Sequence, residues 1–265
     1  MIGAWRSLRS WWDGRCESHI AIEERLWEEA EYELPFLDIL DADERRRLRA
    51  LAGRFIATKE WGGAQGLALT AHMQISIALQ ACLPILNLGL DWYRGWVGII
   101  VYPGDFVIPR QMHDVDGIVH EFDDTVLGEA WEGGPVLLSW FPDLSAVGDV
   151  NIVIHEFAHK LDMSNGAIDG MPALHADMRA SDWVAAFQPA YADFCGRVDC
   201  GVETLIDPYA AENPGEFFAV VSEVFFEVPN LLKAEYPEVF EQLSRFYRFQ
   251  PLRGTPGDTT PGMAA

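Results

Sequence analysis

The stretch VNIVIHEFAHKLD, residues 150–162, constrains this chain more than any other. At about 100° per residue, Val150, Ile154, Phe157 and Leu161 share one stripe of a helix, and such a stripe can face a core. His155 and His159 stand one turn apart on roughly the opposite side, with Glu156 beside them and Asp162 three residues further on. The pattern predicts a two-sided helix, entered after Gly148-Asp149 as break and N-cap and stopped by SNG at 164–166.

Two imidazoles at i and i+4 can turn a ring nitrogen toward one metal ion, and a glutamate one residue after the first is placed to hold a water on it. This is the H-E-x-x-H arrangement of zinc hydrolases, with Glu156 as the base. The plainer alternative makes the histidines surface or hydrogen-bonded core residues. A five-residue pattern that also fits an amphipathic helix speaks against coincidence. Asp162 is expected either to receive an imidazole N–H or to cap the helix locally.

Composition bounds the rest. With 265 residues, 49% of them apolar, the chain can bury one extended core. A formal charge of −22 speaks against nucleic acid and against anionic membrane, since both need a basic surface. The cysteines, Cys16, Cys82, Cys195 and Cys200, are irregularly spaced, which argues for free thiols in a reducing compartment, the cytoplasm. CGRVDC lacks the second pair that a zinc site of cysteines needs. The opening MIGAWRSLRSWW has no apolar run long enough for a secretion signal and is expected to dock its tryptophans on the body of the protein. Residues 66–90 are long enough to span a bilayer but carry His72, Gln74, Gln80, Pro84 and Asn87, so a buried helix that breaks at Pro84 is expected instead.

Residues 1–95 read mainly as helices. They comprise an acidic segment over 20–33 and then DADERRRLRALAGRFIATKEW, where Asp41 and Asp43 can cap a run with Leu48, Leu51 and Phe55 at helical spacing. From residue 96 the period changes. WVGIIVYPGDFVIPR, β-branched and aromatic on both sides of Pro103-Gly104-Asp105, predicts a hairpin, and GGPVLLSWF predicts a strand just before the histidine helix. Residues 135–140 are expected either to pair with an extended peptide as a sheet edge or to be an ordinary structural strand. The fold class is α+β: a helical region over 1–95 packed on a catalytic domain over 96–251, then a disordered tail over 252–265.

A catalytic zinc site needs a third protein ligand and an open position. Downstream, DPYAAENPGEFFAVVSEVFFEVP predicts a helix begun by Pro214 with Phe217, Phe218, Val221, Val224 and Phe225 on its buried side. Glu216, Glu223 and Glu227 share another face, and periodicity does not choose among them; His175 in a loop is a further candidate.

VIHEFAHKLDMSNG, DGMPAL, DPYAAENPGEFFAVVSEVFFEVP and YPEVFEQLSRFYRFQP together resemble the Mlc titration factor A family of zinc peptidases. The resemblance extends upstream through LPILNLGLDWYRGWVGIIVYPGDFVIPR and GPVLLSW, covering about residues 30–251. It implies a zincin-like domain with a small mixed sheet and a gluzincin-type site, with a catalytic part similar to that of anthrax lethal factor. Carried onto this chain, it implies one Zn2+ held by His155, His159 and Glu216, with Glu156 as base and Tyr209, seven residues before Glu216, assisting catalysis. It further implies an aminopeptidase-like activity on short peptides. The namesake binds the repressor Mlc, so a transcriptional repressor is a possible partner and sequestration of one is the rival function. An acid beside an open metal position favours hydrolysis over a structural site, which usually has four protein ligands. A zinc hydrolase of non-peptide amides is a third reading.

Overall fold

In the computed structural model, residues 22–113, 119–141 and 150–253 are described. The tryptophan-rich start, Cys16, the proposed cap at Asp149 and the tail from residue 254 lie outside them. The chain opens with α1 (Glu24–Tyr32) and α2 (Ala42–Thr58). Asp41 does begin α2: its carboxylate accepts from Glu44 N–H at 2.8 Å while the Glu44 carboxylate accepts from Asp41 N–H at 3.1 Å, a reciprocal cap. A short strand, β1 (Glu60–Gly63), follows, in a region whose sequence reads as helical. α3 (Ala71–Cys82) is buried from Ile75 to its end, and it stops just before Pro84 as expected. No helix among the described residues is long and apolar enough to cross a membrane.

The sheet has four strands in the order β1, β2 (Gly98–Tyr102), β6 (Val136–Ser139), β5 (Gly128–Ala130). β1, β2 and β6 run parallel and β5 is antiparallel to β6, so the sheet is mixed and the fold α+β. The hairpin expected around Pro103-Gly104-Asp105 does not form. β2 is claimed on both sides by β1 and β6, and the chain leaves the sheet through the turn, where Gly104 has φ +124°. β3 (Phe106–His113) pairs instead with β4 (Val119–Val126) in a separate antiparallel ribbon. Tyr102 and Phe106 stack across the turn with ring centroids 4.2 Å apart.

Residues 135–140 are not the sheet edge that could bind an extended peptide. β6 lies between β2 and β5, and all four of its residues are buried, as befits a strand covered on both faces. The edge beside it is the short β5, and β1 is the opposite edge.

The histidine helix is α4 (Ile152–Asp162), followed by a 3-10 turn that ends at Gly166, φ +94°. Its cap is Asn151, whose Oδ1 accepts from Ile154 N–H at 2.9 Å. The expected two-sidedness is absent: every residue from Val153 to Asp162 is buried. The polar side is covered as fully as the apolar one. β5 and β6 cover α4 on one side, α3 and the downstream helix α6 (Pro214–Glu227) on others. Before α6 comes α5 (Ala180–Asp199), and after it α7 (Pro229–Glu235) and α8 (Pro237–Tyr247). One hydrophobic cluster joins Phe55 of α2, Ile99 of β2, Phe157 of α4 and Phe218 of α6, so the helices before and after the sheet share a core. Cys82, Cys195 and Cys200 are free thiols.

Candidate metal centre

Asn151 ties two helices together before any chemistry is considered. Besides capping α4, it donates its backbone N–H to Glu223 Oε2 at 2.8 Å and its Nδ2 to Glu227 Oε1 at 2.8 Å. These bonds turn the carboxylate face of α6 inward onto the start of α4, rather than out to water. Asn213 caps α6 in turn, accepting from Glu216 N–H at 3.0 Å, with Pro214 in the first turn as expected.

Glu223 completes its pairing on His155, with Oε1 2.7 Å from Nδ1. A carboxylate there keeps the proton on Nδ1 and leaves the Nε2 lone pair facing the other way. It faces Glu216 Oε2 at 3.0 Å and His159 Nε2 at 3.1 Å, and the last two atoms are 3.2 Å apart. Three acceptor atoms thus converge on one point, which is electrostatically untenable unless a cation or protons lie between them. Zinc bonds of 2.0–2.1 Å at tetrahedral angles separate ligand atoms by about 3.3 Å. The triangle fits. Among the described residues, His155, His159 and Glu216 are the one group of such side chains close enough to hold an ion together.

The electrostatics agree with the geometry. Burial opposes a charge on His155, yet its bonds with Glu216 and Glu223 prevail and push it up to about 10. Burial likewise works against the Glu216 carboxylate, but the two imidazoles hold it down to about 2. Protons bind where a divalent cation would. Burial is the main cause that lifts Glu156 to about 8, opposed by His155 and reinforced by Glu216.

Glu156 packs against the edge strand, with its Oε2 buried and given no hydrogen-bond partner among the described residues. A Cβ at Gly128 would stand 2.6 Å from Glu156 Oε1 and 2.8 Å from the Ile152 side chain. Only glycine lets β5 approach α4 this closely. Tyr209 lies in a 3-10 turn, Pro208–Ala211, whose start is capped by Asp207 accepting from Tyr209 N–H at 2.9 Å. Its ring centroid is 6.1 Å from that of His155, and the residue is 54% exposed while both histidines are buried. Tyr209 therefore forms the solvent side of the centre.

All five side chains singled out in the sequence come together. Of the open alternatives, His175 is elsewhere, with Nε2 2.8 Å from the Phe246 carbonyl. Asp162 is fully buried and accepts from Gly170 N–H at 2.9 Å, stapling the loop that follows α4. Burial lifts it to about 6. The anchoring roles of Asn151 and Gly128 are not read from the sequence, although a glycine beside a strand-forming run is a signal of close backbone approach.

The chain matches the family described as glucose-regulated metallo-peptidase M90 over residues 8–248. It is 38% identical over 231 residues to Mlc titration factor A of Yersinia pestis (strain Pestoides F), covering 85% of each chain. The protein of the same name from Yersinia pseudotuberculosis serotype O:3 (strain YPIII) gives the same figures. With a match across nearly its whole length and a histidine–glutamate cluster able to hold a metal ion, the chain belongs to the M90 family of metallopeptidases.

Proposed function

We propose that this protein is a zinc-dependent peptidase with a zincin-like catalytic part, acting aminopeptidase-like on short peptides in the cytoplasm. The observation that carries the reading is the convergence of His155 Nε2, His159 Nε2 and Glu216 Oε2 to within 3.0–3.2 Å beside a buried carboxylate, Glu156. These three residues would hold one Zn2+. When bound, the ion supplies an acidified water and polarises the peptide carbonyl.

The chain's own groups do the rest. Glu156 accepts the proton of the attacking water at its carboxylate and returns it to the departing amine. Its dry surroundings suit it to a proton held in passing, because burial favours the neutral carboxyl. Glu223 orients His155 through Nδ1. Tyr209, on the exposed side of the centre, donates its hydroxyl to the oxygen that gains charge as the carbonyl is attacked.

The test is turnover of aminoacyl and N-blocked peptide reporters by the zinc-loaded protein. Free aminoacyl reporters should be cut and blocked ones spared; cleavage of neither would refute the reading. Replacing Tyr209 by Phe should lower kcat by ~10²–10³, as for a lost oxyanion donor, with KM and zinc content nearly unchanged. Full activity with reduced thermal stability would make Tyr209 structural instead.

A second reading is favoured by the name that the Yersinia relatives carry, Mlc titration factor A. It is a regulatory role in which this chain sequesters an Mlc-like repressor and hydrolysis is secondary. A Glu156→Gln protein that still binds such a repressor would separate the two roles.

A further inference from the structure

A cavity of about 770 Å³ does not include His155, Glu156, His159 or Glu216 in its lining. Three of its lining residues nonetheless adjoin residues of the centre. Ile152 lines it and also packs into the contact between Gly128 and Glu156. Pro208 lines it and immediately precedes Tyr209, while Glu223 lines it and holds His155. A peptide whose carbonyl lies between Glu156 and Tyr209 can therefore drop a neighbouring side chain into this space.

The walls say what kind of side chain. Most of the lining is apolar, from Ile152 and Val224 inside to Leu205, 77% exposed, at the rim. The charged groups are all acids, Glu33, Asp207, Glu223 and Glu227, and no lysine or arginine stands among the described lining residues. Ser139, 7% exposed, adds a buried hydroxyl that has no hydrogen-bond partner among the described residues. Apolar walls suit a long aliphatic stem, whereas carboxylates and a spare hydroxyl suit a cationic tip. A chain of net charge −22 repels an acidic one.

We propose that this cavity receives a lysine or arginine side chain of the peptide substrate, from a residue flanking the bond that is cut, a proposal that rests on the peptidase reading above. The discrimination is by charge as well as by shape, because an acidic side chain meets like charge in a space it would have to dry.

The experiment compares fluorogenic peptides carrying Lys, Arg, Ala or Glu at each flanking position. For the zinc-loaded protein, kcat/KM for Lys and Arg should exceed that for Glu by ~10²-fold. Leu205→Arg puts a cation at the exposed rim without disturbing the core and should cut the Lys-to-Ala ratio by ~10-fold with zinc content unchanged. Glu227→Gln should move the ratio in the same direction. Equal rates on Lys and Glu peptides, or a ratio unmoved by both variants, would overturn the pocket. If no peptide is cut, the peptidase reading fails, and the pocket is then judged by equilibrium binding of the Lys peptide to zinc-loaded Glu156→Gln protein. Binding weakened ~10-fold by Leu205→Arg in that background supports it, and unchanged or absent binding rejects it.

Discussion

Helix α4 buries charge toward two neighbours, and the two solutions differ. On one side His155 and His159 meet Glu216 and Glu223 of α6, a set rich in acceptors. On the other, Lys160 donates to the carbonyls of Trp131 and Gly134, with the second bond at 2.9 Å. Lys59, from just beyond α2, donates to the carbonyls of Tyr93 and Trp96 at 2.9 and 2.8 Å. The Trp96 ring lies near both ammonium groups, 3.5 Å from Lys59 Nζ and 4.8 Å from Lys160 Nζ. The lysines bring their own cations to backbone acceptors and a π face, so that region is complete as it stands. The α6 side instead gathers acceptor atoms close enough to share one cation. Among buried polar groups, what distinguishes a structural cluster from a metal site is therefore the balance of donors and acceptors, not the degree of burial.

This contrast is sharpened most strongly by Glu156→Gln. The amide keeps the size of the side chain but cannot take a proton, so turnover should drop by ~10²–10⁴ while zinc stays bound. A zinc-loaded variant working at the parent rate would remove Glu156 from the mechanism. Glu223→Gln should come next. Its amide no longer offers a charged acceptor to His155 Nδ1–H, and zinc affinity in a competition titration should weaken ~10–100-fold without loss of fold. Unaltered affinity would mean that the bond at 2.7 Å orients nothing.

The smallest effect belongs to the lysine side. Burial, and then the like charge of Lys160, hold Lys59 at about 8 rather than 10.5. Between those two values the unfolded chain binds more protons than the fold, so stability rises as pH climbs through that window and the deficit is fully present below it. The urea midpoint of the parent relative to a Lys59→Met variant should therefore improve from pH 7 to pH 10, with zinc content unchanged. A flat difference would show that the carbonyls and the indole already offset the burial.

The sequence made the acceptor side legible and left the rest obscure for physical reasons. The H-E-x-x-H spacing is local, so His155, Glu156 and His159 could be assigned to one helix face from geometry alone. Glu216, Glu223 and Glu227 share a face by periodicity, but which one meets the imidazoles depends on how α6 is set against α4. That setting comes from Asn151, a residue that looks like an ordinary cap. α4 looked two-sided because its polar residues are polar; they are buried because α6 meets the histidines, backbone carbonyls receive Lys160 and the loop after α4 donates to Asp162. The turn at Pro103-Gly104 was visible, whereas the pairing of β2 was not, since parallel partners lie far away in sequence. The same is true of β5, whose close approach depends on Gly128.

The central claim is that the acceptor cluster holds one divalent cation through His155, His159 and Glu216. Zinc stoichiometry, measured by elemental analysis on purified parent, Glu216→Ala and Lys160→Met proteins, tests it most directly. The account predicts about one zinc per chain in the parent and in Lys160→Met, and little or none in Glu216→Ala. Full zinc in a folded Glu216→Ala protein would contradict it.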